Sequence, residues 1–160
     1  MLVKEVMKSN IESCRPDSNL ESIALMMWNH DCGAIPVTDE QGKPVGIITD
    51  RDIAMGSSLN HRCLWELTAN DIMAKRPLYS CQSEDNMAQV LEVMKEHQIR
   101  RVPVVDDEGR LTGIVALGDV VDVAAKTATK KSNSKLTYSD VMDTIKAISK
   151  QNSHTLVQVA

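Results

Sequence analysis

A shift of 67 residues lays Cys14–Ala54 over Cys81–Val121 without a gap, and eleven of the 41 aligned positions are identical. The identical pairs include Cys14/Cys81, Met27/Met94, Pro36/Pro103, Gly42/Gly109, Gly46/Gly113 and Asp52/Asp119. The apolar rhythm agrees as well. Leu20, Ile23, Ala24 and Met27 fall at i, i+3, i+4 and i+7, and so do Met87, Val90, Leu91 and Met94. That spacing puts each set on one face of a helix. An internal repeat of this length means one supersecondary unit written twice.

Each copy reads as strand, helix, strand, strand, helix. In the first, Ile11–Cys14 is a short strand, and Ser18 with Glu21 forms a capping box that opens a helix running to about Asn29. Ala34–Thr38 and Val45–Thr49 are β-rich and flank a turn at Asp39–Lys43, where Gly42 suits positive φ. Asp50 or Arg51 opens the second helix. The second copy repeats this with a helix over Asn86–Glu96, strands over Arg101–Val105 and Leu111–Ala116, and a helix from Gly118 to about Thr127. About 55 residues around one small sheet leave an apolar face uncovered. The expected fold is therefore α/β (α+β), with two β-α-β-β-α repeats related by a pseudo-twofold axis and packed through their sheets. The expected units are 1–61, 62–125, and a tail over 126–160. In that tail, Lys126–Lys135 reads as a linker, Ser139 caps a helix with Val141, Met142, Ile145 and Ile148 on one face, and Thr155–Val159 reads as a frayed strand.

Composition narrows the function. Net charge is −4, which argues against a dedicated nucleic-acid binder. Aromatics are 2%, too few for a base-stacking platform. No apolar run reaches membrane-spanning length. Met1–Met7 lacks the apolar stretch of a secretory signal. Cys14, Cys32, Cys63 and Cys81 are accordingly read as reduced thiols in a cytoplasmic protein.

Several motifs occur in both copies: the Val6-Met7 and Ile72-Met73 openings, the Ile35-Pro36-Val37 and Val102-Pro103-Val104 strands, and Gly46-Ile47-Ile48-Thr49-Asp50-Arg51-Asp52. The last resembles the G-h-h-T-x-x-D signature of the cystathionine-β-synthase-type (CBS) domain, and two copies in tandem resemble a Bateman module. The second copy keeps Gly113 and Asp119 but has Ala116 in place of the Thr. The resemblance covers about residues 1–125. It implies that AMP, ADP, ATP or a related adenosyl compound binds between the copies as a regulatory ligand, with no cofactor required, and that binding is passed to an effector protein.

The residues can be weighed against that implication. A carboxylate can accept from both hydroxyls of a ribose, which suits Asp52. Thr49 can donate to a ribose or phosphate oxygen, and the amides beside it, including that of Arg51, open a helix, where anions are favoured. The competing reading is that Thr49 and Asp52 only cap that helix. Asp119 is open between a second ribose site and a cap. Arg100 and Arg101 are placed by the pseudo-twofold near Gly33 and Ala34, as phosphate ligands beside small residues. Otherwise they are a solvated pair facing Glu96 or Asp107. Ile35, Pro36 and the segment Ser13–Pro16, with Cys14, would line an adenine slot; Ile35 and Val37 are also core, and Cys14 and Cys81, at matched strand positions, are read as buried apolar thiols.

His30-Asp31-Cys32 and His61-Arg62-Cys63 lack the usual zinc-ligand spacings. No G-x-S-x-G or G-x-x-x-x-G-K-[ST] motif occurs, so no enzyme is expected. The family pattern implies a homodimer, with Ile53, Met55, Val120 and Val123 as expected contacts. The alternatives are a structural dimerisation module with vestigial clefts and a redox- or metal-responsive module.

Overall fold

The structure, a computed structural model, describes residues 1–73, 77–128 and 137–149. In chain order the elements are α1 (Leu20–Asn29), β1 (Ala34–Thr38), β2 (Pro44–Thr49), α2 (Asp50–Asn60), α3 (Ala69–Ile72), β3 (Cys81–Gln82), α4 (Met87–His97), β4 (Arg101–Val105), β5 (Leu111–Ala116), α5 (Leu117–Ala128) and α6 (Tyr138–Ile148). Single 3-10 turns cover Val3–Glu5 and Leu64–Glu66. This is the mixed helix-and-strand repeat expected from the sequence.

The hairpins match residue for residue. β1 pairs antiparallel with β2, placing Ala34 opposite Thr49, and β4 pairs with β5, placing Arg101 opposite Ala116. Both hairpins shift register near the turn, and Gly42 (φ 77°) and Gly109 (φ 80°) supply the left-handed backbone there. Before the first hairpin, the expected strand over Ile11–Cys14 reduces to a single parallel bridge, Cys14 to Val37. Its second-copy mate is the two-residue β3.

Helix starts depart from the sequence reading in two places. Asn19, not Ser18, caps α1, accepting from Ser22 N–H at 2.8 Å. Ser18 Oγ instead accepts from Arg15 N–H at 3.0 Å. Thr137, not Ser139, caps α6 in a box with Asp140. Thr155–Val159, and the 129–135 part of the expected linker, lie outside the described residues.

Each copy builds its own core. Leu20, Ile23, Met27, Ile35, Val37 and Ile48 close one, and Met87, Val90, Met94, Val102, Val104 and Val115 close the other. The matched residues Leu20 and Met87 are both fully buried, each stabilising by about 1.5–3 kcal/mol. The opening segments are exchanged between cores. Val3 and Val6 pack into the second, while Leu67 and Ala69, with Ile72 and Met73, pack into the first. The matching bridges are Leu2 to Asn86 and Asn19 to Thr68. The hairpins touch reciprocally: Leu111 N–H donates to Gly42 O at 2.9 Å, and Gly109 lies against Lys43.

Helix α6 joins the second core through Val141 and Ile148, on the i, i+3, i+4, i+7 face formed with Thr144 and Ile145, and packs on α4 and α5. Met142, expected on that face, is exposed. Ile53 and Val120 are 6% and 0% exposed inside their own cores, so neither is available to a dimer contact.

Candidate functional site

Thr49 ends β2 with extended backbone and caps α2. Its Oγ1 accepts from Asp52 N–H at 3.2 Å and donates to Asp52 Oδ2 at 2.7 Å, while Thr49 N–H donates to the same Oδ2 at 2.9 Å. A Thr three residues before an Asp satisfies the helix start in both directions. The capping role is thus realised, and it changes what is left for a ligand. The hydroxyl proton of Thr49 is committed to Asp52 and is not free to donate elsewhere. One carboxylate oxygen is committed too. Asp52 Oδ1 has no hydrogen-bond partner among the described residues and keeps its lone pairs for an incoming hydroxyl.

Across the hairpin, Ala34, Ile35 and Pro36 are buried, and Ile35 belongs to the core as expected. Asp50 N–H donates to Gly33 O at 3.4 Å, which closes the base of the cleft. A Cβ at residue 33 would stand 3.1 Å from Asp50 Oδ2 and 3.3 Å from Arg101 Nη2. The second copy's arginine therefore reaches the first copy's glycine, the approach that the pseudo-twofold suggested. Arg51 is exposed on the first turn of α2. Cys14 is less available than the adenine-slot reading supposed. Its N–H donates to Pro36 O and its carbonyl accepts from Thr38 N–H, both at 2.9 Å, and its side chain is buried. Burial pushes its thiol up to about 11, and that of Cys81 to about 12.

The second copy repeats this frame with different chemistry. Leu117 N–H donates to Arg100 O at 2.9 Å, the counterpart of Asp50 to Gly33. Ala116 N–H donates to Asp119 Oδ2 at 3.2 Å, without a hydroxyl beside it. Lys8 Nζ stands 3.1 Å from Asp119 Oδ1. The arginine pair divides. Arg101 reaches Gly33, and both Arg100 and Arg101 line a cavity of about 360 Å³ with Leu117, Val121, Ile145 and Ile148. Neither arginine lies within ion-pair distance of a carboxylate among the described residues. Glu96 instead sits beside His97, and Asp107 accepts from Gln82.

Sequence reasoning missed Asp50 as a wall of the first cleft, although it lies inside the signature. It also missed Lys8 and the end of α6, which are distant in the chain and reach the second cleft only through packing.

The CBS domain family model matches residues 3–57 and again 69–126. The chain belongs to the CBS domain family. The CBS domain-containing protein YhcV of Bacillus subtilis is 36% identical over 118 residues, covering 74% of this chain and 81% of the relative. Hypoxic response protein 1 of Mycobacterium tuberculosis is 32% identical over 117 residues, covering 73% and 80%. A crystal structure of Hypoxic Response Protein I with two coordinated zinc ions superposes with a TM-score of 0.68 at 29% identity, covering 76% of this chain and 98% of that one. The CBS domain pair of protein MJ0100, solved with 5′-methylthioadenosine and S-adenosyl-L-methionine, superposes at 0.71 with 29% identity, covering 79% and 98%. Among the described residues of this CBS pair, no three His, Cys, Asp or Glu side chains come close enough to hold a metal, and no helix is long and apolar enough to cross a membrane.

Proposed function

We propose that this CBS pair is a regulatory, non-catalytic module that binds an adenosyl compound such as AMP, ADP or ATP, and that it passes occupancy to an effector protein in the cytoplasm. The observation that carries the reading is Asp52. Thr49 holds one of its oxygens and the other is unpaired among the described residues, while Thr49 itself pairs across the hairpin with Ala34, next to the Gly33 that Arg101 approaches from the other copy. In this reading Oδ1 accepts a ribose hydroxyl and Arg101 attracts the phosphate. The ligand seen on the MJ0100 pair supports the adenosyl class. Calorimetric titration with AMP tests it. Wild type is expected to bind at micromolar affinity and Asp52→Ala to lose the first site; no heat with AMP, ADP, ATP or S-adenosylmethionine would refute the reading.

A second reading, a homodimerisation module, rests on the packed helices α1 and α2. They leave Leu25, Trp28, Met55 and Leu59 exposed, Trp28 by 84%. The two readings are compatible, and in the dimer these residues replace Ile53 and Val120 as the contact. Sedimentation at tens of micromolar is expected to show a dimer, with Trp28→Glu returning it to monomer.

A further inference from the structure

The CBS match ends at residue 126, yet a wall of the second cleft comes from beyond it. Helix α6 is anchored by its own means. Thr137 and Asp140 cap it, Val141 and Ile148 enter the second core, and the buried Thr144 hydroxyl donates to Asp140 O at 2.8 Å. Lys95 of α4 faces the carboxylates of Asp140 and Asp143. The end of the helix, at Ile145, Ile148 and Ser149, closes one side of the 360 Å³ cavity, and Arg100, Arg101 and the Ala116–Gly118 turn close the other. That volume is at the lower end for small-molecule sites. Apolar side chains of α5 and α6 stand there beside two cationic ones, a lining suited to an organic anion with an apolar body. Asp119 lies outside the lining with both oxygens engaged, by Lys8 and by Ala116 N–H, so in the wild type it is not open to a ribose diol.

Resting on the reading that the clefts take an adenosyl anion, we propose that α6 is the element through which the second cleft reports its occupancy. An anion held by Arg100 lies against Ile145, Ile148 and Ser149 and stabilises α6 on α4 and α5. An empty cleft leaves that side of the helix without the contact. Only a ligand that differs in affinity for the docked and released states can shift the equilibrium, and direct contact with α6 supplies that difference. Arg101, which approaches Gly33 and also lines this cavity, connects the two clefts.

Amide hydrogen exchange of the full chain, with and without AMP, tests this. AMP is expected to slow exchange in residues 138–148 by at least fivefold in wild type and in Asp52→Ala, whose first cleft is disabled. Arg100→Ala, at an exposed position, is expected to abolish that protection. So is Ser149→Trp, which fills the cavity from an exposed site. Two stoichiometries separate the failures. If AMP binds wild type once and Asp52→Ala not at all, the first-cleft reading stands and this proposal is overturned. Protection of α6 that survives Arg100→Ala and Ser149→Trp would overturn it too. No AMP binding to wild type at all overturns both.

Discussion

Lys8 Nζ lies 3.1 Å from Asp119 Oδ1, and Asp119 is only 16% exposed at its side chain. The equivalent carboxylate, Asp52, has no cation against it among the described residues. The two copies therefore present a similar backbone with opposite readiness: one acid has an open oxygen, the other has both engaged.

That relationship changes what restoring the missing threonine would do. Ala116→Thr adds the second-copy hydroxyl, but Lys8 still covers Oδ1. In an Asp52→Ala background, which isolates the second cleft, adenosine affinity is expected to stay within about twofold. Adding Lys8→Ala frees the oxygen and is expected to gain about 0.5–1.5 kcal/mol, up to roughly tenfold. A full gain from Ala116→Thr alone, read by calorimetry, would remove Lys8 from the account.

The matched glycines Gly46 and Gly113 have unequal tolerance. A Cβ at residue 113 would stand 2.6 Å from the backbone carbonyl of Lys8, which accepts from Ile114 N–H at 3.0 Å and cannot swing away. At residue 46 it would overlap the Met73 thioether, a flexible side chain that can turn. Gly113→Ala is expected to destabilise by about 1–3 kcal/mol, and Gly46→Ala by less. Urea denaturation measures both, and the reverse order would contradict the packing of the opening segments.

Cysteine labelling separates a structural role for the thiols from a redox one. Thiolate is the reactive form, and burial holds Cys14 near 11 and Cys81 near 12. Cys63 is exposed. At pH 8, iodoacetamide is expected to modify Cys63 more than about a hundred times faster than Cys14 or Cys81. Comparable rates, followed by mass spectrometry, would favour the redox-responsive alternative.

Acid should loosen the chain at its capping boxes. The Thr68 and Thr137 amides and hydroxyls hold Asp71 and Asp140 below the usual carboxylate range. A carboxyl depressed in the folded state stabilises fully above its unfolded pKa, about 4, and that contribution fades as pH falls through the folded value. Thermal midpoints are expected to be insensitive to these two groups between pH 7 and 5 and to drop towards pH 3. Asp140→Asn should lessen the drop, and an unchanged acid slope in that variant would contradict the assignment.

Much of this was legible in the chain. β1, β4 and β5 fall where the sequence put them, because alternating β-branched residues bounded by glycine turns leave little choice of register. Caps were harder. Ser18 and Asn19 are adjacent competent residues, as are Thr137 and Ser139 at a spacing of two, and only the packing of the first turn selects between them. The exchange of Val3 and Val6 into the second core was not legible, since apolar residues do not name their partner. The division of Arg100 from Arg101 was not legible, because Arg101 begins β4 while Arg100 lies in the bend before it, and only packing brings Arg101 to Gly33.

The central claim is that Asp52 reads a ribose hydroxyl in the first cleft. Calorimetric titration of wild type with AMP and with 2′-deoxyAMP tests it most directly, using the Arg100→Ala variant to silence the second cleft. Losing one hydroxyl partner of a part-buried carboxylate is expected to weaken the deoxy ligand by about 1–3 kcal/mol, and adding Asp52→Ala in that background is expected to abolish binding of both ligands. Equal affinities for the two ligands, or AMP binding that survives when Asp52→Ala is added to Arg100→Ala, would contradict it.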